Sequence, residues 1–126
     1  MSVEGNYKIL IVDDSSVMRK GIISLMREKI EAEYREAENG EAGVKLFLEF
    51  NPDLVTMDIN MPGIDGMEAL KQIIGHDRKA KVIMLTTEAE KGKIIEAVSM
   101  GAKSYIVKPI TDKAKALDKI MNALSL

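Results

Sequence analysis

The chain has 126 residues, of which 46% are hydrophobic and 30% charged, and its net charge is −2. This length suits one domain with a single core, over residues 1–126, and the near-neutral charge argues against a nucleic-acid-binding protein, which is usually clearly basic. It has no cysteine for disulfides or thiolate chemistry, no apolar run near the roughly 20 residues that span a bilayer, and no signal-peptide pattern, so we expect a cytoplasmic protein without membrane contact.

Short runs rich in β-branched residues alternate with amphipathic stretches along the chain. This alternation predicts parallel strands joined by right-handed helical crossovers, and the nearly continuous apolar runs predict a sheet covered on both faces. The most polar run, 33–37, is expected at an edge of the sheet. The predicted elements, in chain order, are a strand at 7–12, a helix at 15–30, a strand at 33–37, a helix at 40–50, a strand at 53–58, a helix at 65–75, a strand at 81–86, a helix at 89–100, a strand at 104–107 and a helix at 111–124.

Several residues mark where the predicted helices begin and end. Ser15 and Asp65 are suitable N-caps of the first and third helices. The pair Asn51-Pro52 ends the second helix, because the residue before a proline avoids the α region. Gly101 suits the position just after the fourth helix.

Polar residues stand where the apolar strands end. Asp13 and Asp14 follow the first strand, Asp58 closes the third, and Thr86 and Lys108 close the fourth and fifth. Ligands of an open parallel sheet bind outside the carboxyl ends of its strands. One such carboxylate alone would be interpreted as a solvated loop residue, but together the five positions predict a functional site at this edge.

The crowding of three carboxylates has a chemical consequence. They repel one another, so either one is protonated or a cation is bound. Oxygen ligands without histidine or cysteine select Mg²⁺ or Mn²⁺. A carboxylate neutralised in this way could attack phosphorus and form an acyl phosphate, which Lys108 and the Thr86 hydroxyl could contact. From the residues alone, Thr86 could equally be a helix cap and Lys108 a lysine whose stem lies along apolar surface.

Three rival functions fit the residues less well. A haloacid-dehalogenase-type phosphatase needs an acid two residues after the nucleophile, and Asn60 occupies that place after Asp58. A flavodoxin is disfavoured because Asp13 and Asp14 would repel the FMN phosphate. The Gly-x-x-x-x-Gly-Lys-[Ser/Thr] loop of P-loop nucleotide-binding proteins does not occur. We therefore expect no turnover of small molecules, and hence not an enzyme in that sense.

Four segments of the chain form a pattern by their order and spacing. The segments are Ile11-Val12-Asp13-Asp14-Ser15, Met57-Asp58-Ile59-Asn60-Met61-Pro62-Gly63, Leu85-Thr86-Thr87-Glu88-Ala89 and Gly101-Ala102-Lys103-Ser104-Tyr105-Ile106-Val107-Lys108-Pro109. They resemble the signatures of response-regulator receiver domains. The similarity covers essentially the whole sequence, and it is strongest to the single-domain chemotaxis (CheY-like) type. The resemblance implies a flavodoxin-like (βα)5 fold, an α/β class with a five-stranded parallel sheet of order 2-1-3-4-5 and helices on both faces.

The resemblance implies a phosphorylation site centred on Asp58. This residue matches the phosphoacceptor that takes a phosphoryl group from a histidine kinase. Asp13 and Asp14 match the acidic pair that holds Mg²⁺, with Asp58 and the backbone carbonyl of Asn60 as further ligands.

The resemblance also implies how the site communicates with the surface. Thr86 matches the hydroxyl that moves to the phosphoryl group, and Lys108 matches the family's lysine, which a cis peptide bond joins to Pro109. Tyr105 matches the aromatic switch that turns inward when Thr86 moves. Without the resemblance, Tyr105 would be interpreted as an edge-strand aromatic packed on the fourth helix.

We therefore predict a two-component response regulator that changes the surface of its fourth helix, fifth strand and fifth helix on phosphorylation. With no effector domain after the last helix, we expect the signal to pass by protein–protein contact, to a partner such as a flagellar-motor switch component. Two alternatives are a phosphorelay intermediate that passes phosphate to a histidine phosphotransfer protein, and an isolated receiver of a larger regulator. A monomer is expected, with dimerisation on phosphorylation as an alternative.

Overall fold

The computed structural model describes residues 3–125, in which strands and helices alternate. In chain order they are β1 (Val3–Val12), α1 (Ser16–Arg27), β2 (Ile30–Ala37), α2 (Gly40–Phe50), β3 (Leu54–Asp58), α3 (Gly66–His76), β4 (Val82–Thr87), a 3-10 helix (Glu88–Lys93), α4 (Ile94–Met100), β5 (Ser104–Lys108) and α5 (Lys113–Ser125). The strands form one parallel sheet in the order β2-β1-β3-β4-β5. This confirms the predicted flavodoxin-like topology and the edge position of β2.

Helices cover both faces of the sheet, which is why its central strands are apolar throughout. Along β1, Ile9 and Ile11 pack in the core towards α1 and α5, whereas Leu10 and Val12 pack in the core towards α2, α3 and α4. Successive side chains of a strand point to opposite faces, so an uninterrupted apolar run serves both cores. Each such side chain is fully buried, which contributes roughly 1.5–3 kcal/mol to folding.

The helix ends follow the predicted signals. The Ser15 hydroxyl accepts a hydrogen bond from Met18 N (3.2 Å), and Asp65 Oδ1 accepts one from Glu68 N (2.9 Å). Asn51 ends α2 in the left-handed conformation, with φ 52°. Within residues 3–125, the helices are all too short or too polar to cross a bilayer.

The first helix is shorter than predicted and the second strand longer. The prediction extended the helix to residue 30 because Ile30 continues its apolar period. In the structure α1 ends at Arg27, and Ile30 opens β2, where it pairs with Val3 at the start of β1. An apolar residue suits both the end of an amphipathic helix and the start of a buried strand, so the apolar character of Ile30 did not distinguish helix from strand.

The predicted helix at 89–100 is two pieces. A 3-10 helix spans Glu88–Lys93, and α4 begins only at Ile94. The 3-10 segment buries none of its residues, so no apolar face holds it in α conformation, and Gly92 within it lowers helix propensity. Its N-cap is Thr87, whose hydroxyl accepts from Glu90 N (3.3 Å); the interpretation of Thr86 as the cap was wrong.

Candidate functional site

Strand register brings the acidic residues together at the carboxyl edge of the sheet. Val12 of β1 lies beside Met57 of β3, so the following residues, Asp13 and Asp58, leave neighbouring strands side by side. The Asp13 backbone N–H donates to Ala37 O on the other side (3.1 Å). Carboxylate oxygens of Asp13, Asp14 and Asp58 all lie within 4.8 Å of one another.

Lys108 reaches this cluster from the far edge strand. Its Nζ donates to Asp58 Oδ1 (3.0 Å) and lies 3.6 Å from Asp13 Oδ2. Strand β4 separates β5 from β3, and the length of the lysine stem bridges that separation. The Lys108–Pro109 peptide bond is cis, as the resemblance implied. One ammonium therefore faces two buried carboxylates.

The cluster contains a buried carboxylate oxygen that accepts no hydrogen bond from residues 3–125. Asp13 is 1% exposed and Asp58 3%, whereas Asp14 is open to solvent. Asp13 Oδ1 accepts from Ser15 N (2.9 Å), but Asp13 Oδ2 has no hydrogen-bond partner among residues 3–125. Burying such an atom without a partner costs free energy. Because the cluster offers hard oxygen donors only, its residues fit a bound Mg²⁺.

The surroundings of Asp58 also shift the pKa of its carboxyl group. Burial raises the pKa of the Asp58 carboxyl above its usual range, and the nearby Asp13 carboxylate raises that pKa further. The hydrogen bond and charge of Lys108 oppose the shift without cancelling it. A buried carboxylate among like charges is a common property of reactive sites.

A cleft of about 150 Å³ opens above Asp58. Thr86 lines it from the end of β4; its side chain is buried, and its hydroxyl donates to the neighbouring Thr87 O (3.1 Å). Asn60 also lines the cleft. The predicted site residues Asp14, Asp58, Asn60, Thr86 and Lys108 therefore share one cleft.

Glu90 lines the same cleft, although the sequence prediction did not single it out. It lies in the 3-10 helix and pairs with Lys93 (3.0 Å). The sequence predicted a regular helix here, so it gave no signal that Glu90 lines the cleft.

Arg19 and Glu36 were also missed. Arg19 Nη1 donates to the backbone carbonyl of Asp13 (2.6 Å), and its Nε donates to Glu36 Oε1 (2.8 Å). The available signal was the position of Arg19, one helical turn after the N-cap Ser15, which places it over the loop that carries the acidic residues.

Tyr105 lies outside the cleft. Its ring packs partly against the core under α2, α3 and α4, and the Lys119 ammonium of α5 sits 4.3 Å from the ring centroid. Lys119 Nζ also donates to Tyr105 O (2.6 Å). A second cleft, of about 320 Å³, runs past Tyr105 between the 3-10 helix, β5 and α5. The structure thus places Tyr105 at the surface that was predicted to change.

Known proteins resemble the chain over most of its length. The family model of the response regulator receiver domain matches residues 9–121. Chemotaxis protein CheY of Listeria monocytogenes is 43% identical over 93% of this chain and 94% of its own length, and CheY of Bacillus subtilis is 42% identical over 92% and 98%.

Solved structures agree. The response regulator domain of Thermotoga maritima CheB superposes with a TM-score of 0.86 at 32% identity, covering 97% of this chain and 98% of that one. The CheX–CheY–BeF3–Mg²⁺ complex from Borrelia burgdorferi gives a TM-score of 0.82 at 34% identity, covering 92% and 87%. The chain therefore belongs to the response-regulator receiver domain family and is similar to its chemotaxis-type members.

Proposed function

We propose that Asp58 accepts a phosphoryl group from a phosphohistidine of a histidine kinase. The observation that carries this proposal is the constellation around Asp58: two further carboxylates with oxygens within 4.8 Å, and a lysine ammonium at 3.0 Å. A carboxylate whose charge is partly offset, at the mouth of a cleft, can act as a nucleophile towards phosphorus.

In the proposed reaction, an Asp58 carboxylate oxygen attacks phosphorus as the phosphorus–nitrogen bond breaks, and the imidazole leaves. Asp13, Asp14, Asp58 and the Asn60 carbonyl would hold Mg²⁺, which supplies positive charge to the transferred oxygens. The Lys108 ammonium, already within hydrogen-bond distance of Asp58, offsets charge on the same side. Hydrolysis of the acyl phosphate resets the protein, with no turnover of a small molecule.

We further propose that the modification is read at the surface of α4, β5 and α5. Thr86, next to the cleft, would turn its hydroxyl to the phosphoryl group, and Tyr105 would change rotamer with it. Ile95 of α4 is 84% exposed, which supports a protein partner at this surface. The CheX–CheY–BeF3–Mg²⁺ complex of the Borrelia relative also supports a protein partner, since beryllofluoride mimics a phosphoryl group. We also propose that the protein acts in the cytoplasm and that residues 1–126 function as a single receiver domain.

The test is chemical labelling. With acetyl phosphate and Mg²⁺, the wild type should gain one phosphoryl group by intact-mass spectrometry, and Asp58→Asn should gain none. Asp53→Asn is the matched control. Asp53 directly precedes β3, so it lies at the other end of the strand that Asp58 closes, and its carboxylate accepts a hydrogen bond from Lys8 N (2.8 Å). Labelling of Asp58→Asn to the wild-type stoichiometry would exclude Asp58 as the acceptor.

A further inference from the structure

Arg19 joins the end of β1 to the edge strand β2 through both sides of its guanidinium. The Nη1 atom donates to Asp13 O (2.6 Å) and the Nε atom to Glu36 Oε1 (2.8 Å). The side chain is only 14% exposed. A guanidinium is planar and donates at fixed angles, so these two bonds fix the Asp13 peptide relative to β2.

Asp13 supplies one of the three carboxylates of the cluster, and its backbone and side chain are both fixed by hydrogen bonds. Asp13 is held by its own N–H on Ala37 O (3.1 Å), by Arg19 on its carbonyl, and by Ser15 N on its Oδ1 (2.9 Å). These bonds leave Oδ2 as the one carboxylate oxygen of Asp13 that is buried without a hydrogen bond among residues 3–125. It lies 3.6 Å from Lys108 Nζ, facing the cluster.

Glu36 is in turn fixed by two cations. Lys20 Nζ lies 2.5 Å from Glu36 Oε2, and Arg19 occupies the other oxygen. The hydrogen bond from Lys20, followed by that from Arg19, lowers the pKa of Glu36, so Glu36 is ionised at neutral pH. Arg19 therefore has a charged anchor on one side and the Asp13 carbonyl on the other, and it lies outside the cleft itself.

We infer that Arg19 is a positioning residue for the metal site: it holds the Asp13 carboxylate in the orientation in which Oδ2 faces the cluster that would bind the cation. The inference rests on the proposed function, since it assumes that the carboxylate cluster binds Mg²⁺. Arg19 does not line the cleft, so it would act through Asp13 and not as a ligand of the cation. Hydrogen bonds that orient metal ligands typically account for about 10- to 100-fold in metal affinity.

The experiment measures the binding of Mn²⁺, as a probe for Mg²⁺, by the electron paramagnetic resonance of free Mn²⁺. Arg19→Met should weaken binding by about 10- to 100-fold. Arg19→Lys should fall in between, because one ammonium cannot span both partners at the guanidinium's angles. The matched control is Arg35→Met: Arg35 pairs with Glu33 (2.9 Å) on the same edge strand, at the surface, and its loss should leave the affinity within about twofold.

Two further variants separate the possible failures. Glu36→Gln keeps an acceptor for Arg19 but removes the charge, so it should weaken Mn²⁺ binding less than Arg19→Met, and it supplies the test if Arg19→Met fails to fold. Asp13→Asn should lose binding. The positioning role of Arg19 would be overturned if Arg19→Met and Glu36→Gln fold and bind Mn²⁺ with wild-type affinity while Asp13→Asn does not bind it. That outcome would leave the metal site itself intact. A wild type that does not bind Mn²⁺ would overturn the metal site and this inference together.

Discussion

Asp58 occupies a position that function explains better than stability does. It is 3% exposed, beside a second buried carboxylate, and burial raises its pKa. A raised carboxyl pKa means that the ionised form is less favourable in the folded chain than in the unfolded one. Lys108 offsets only part of that cost. Such a cost to stability fits the proposed role of Asp58 as the phosphoacceptor, because residues needed for activity often destabilise the folded protein.

We expect Asp58→Asn to raise the free energy of unfolding at pH 7, in EDTA, by about 0.5–2 kcal/mol. The folded pKa of Asp58 lies above its ordinary value of 3.8, so the native wild type holds this proton more tightly than the unfolded chain. The contribution of the Asp58 carboxyl to the free energy of unfolding of the wild type therefore falls as pH rises from 3.8 through the folded pKa. The advantage of the variant should be complete at pH 7 and shrink towards pH 4, as urea titrations would measure.

The exposed Asp118 of α5 provides the control: Asp118→Asn removes a carboxylate that is open to solvent and outside the cluster, and it should change the free energy of unfolding at pH 7 by less than about 0.5 kcal/mol. If Asp58→Asn instead lowered stability at pH 7, the hydrogen bond from Lys108 would outweigh the burial of Asp58, and the electrostatic account of the site would be wrong.

The sequence was informative about single residues wherever position along a strand decides the outcome. Asp13 and Asp58 were placed correctly because strand ends of a parallel sheet share an edge. Arg19 and Glu36 were not, because their contact depends on which residue of β2 lies beside the end of β1. That register, with Ala37 opposite Val12, follows from three-dimensional pairing and not from any local pattern.

The segment between β4 and β5 is the element least supported by the core. The 3-10 helix Glu88–Lys93 has no buried residues, and α4 buries only Ile94 and Ala97. Segments with few buried contacts open most readily. This segment also carries Glu90 to the cleft and begins beside Thr86, so it can respond to a change at Asp58 at low energetic cost.

Gly92→Ala should stabilise this segment. A Cβ atom at Gly92 would meet nothing within 4 Å, and its φ is not in the positive range, so the change should add about 0.5–1 kcal/mol, chiefly by restricting the unfolded chain. Amide exchange of residues 88–93 should slow, as hydrogen-exchange mass spectrometry would measure.

Two other glycines serve as controls for Gly92→Ala. Gly21 of α1 also has open space around it, so Gly21→Ala should stabilise equally and leave exchange at 88–93 unchanged. Gly66→Ala should destabilise, because its Cβ would collide with the Asp58 backbone oxygen. Unchanged exchange at 88–93 in Gly92→Ala would show that the glycine does not set the mobility of the segment.

At the scale of the whole molecule, the sheet gathers residues far apart in sequence at one edge. The alternation of strands and helices predicted a parallel sheet, but several strand orders satisfy that pattern, and the order 2-1-3-4-5 came from the family resemblance. The structure confirms it. The order puts β3 between β1 and β4, so that Asp58 lies between the acidic pair on one side and Thr86 on the other.

This arrangement predicts a partner interaction that depends on the phosphorylated state. With beryllofluoride and Mg²⁺, the wild-type protein immobilised on beads should retain a partner from its own cell extract that the untreated protein does not retain. Thr86→Ala should keep acetyl phosphate labelling and lose this retention, because it removes the hydroxyl that we propose turns to the phosphoryl group. Mass spectrometry of the retained protein would distinguish a motor component from a histidine phosphotransfer protein.

The neighbouring Thr87 gives the control for Thr86→Ala. Thr87 is exposed and caps the 3-10 helix; Thr87→Ala should cost about 0.5–2 kcal/mol of stability but preserve retention of the partner. Equal retention by Thr86→Ala and the wild type would remove Thr86 from the signalling step.

The contact between Lys119 and Tyr105 has a consequence for how copies of this protein coexist at high concentration. β5 is an outer strand, and an outer strand exposes carbonyl and amide groups that can template the addition of a foreign strand, the first step of many aggregation reactions. The Lys119 ammonium donates a hydrogen bond to one of these carbonyls, Tyr105 O (2.6 Å). An incoming strand would have to displace that ammonium, so the border of the sheet resists aggregation while its side chains stay available for recognition.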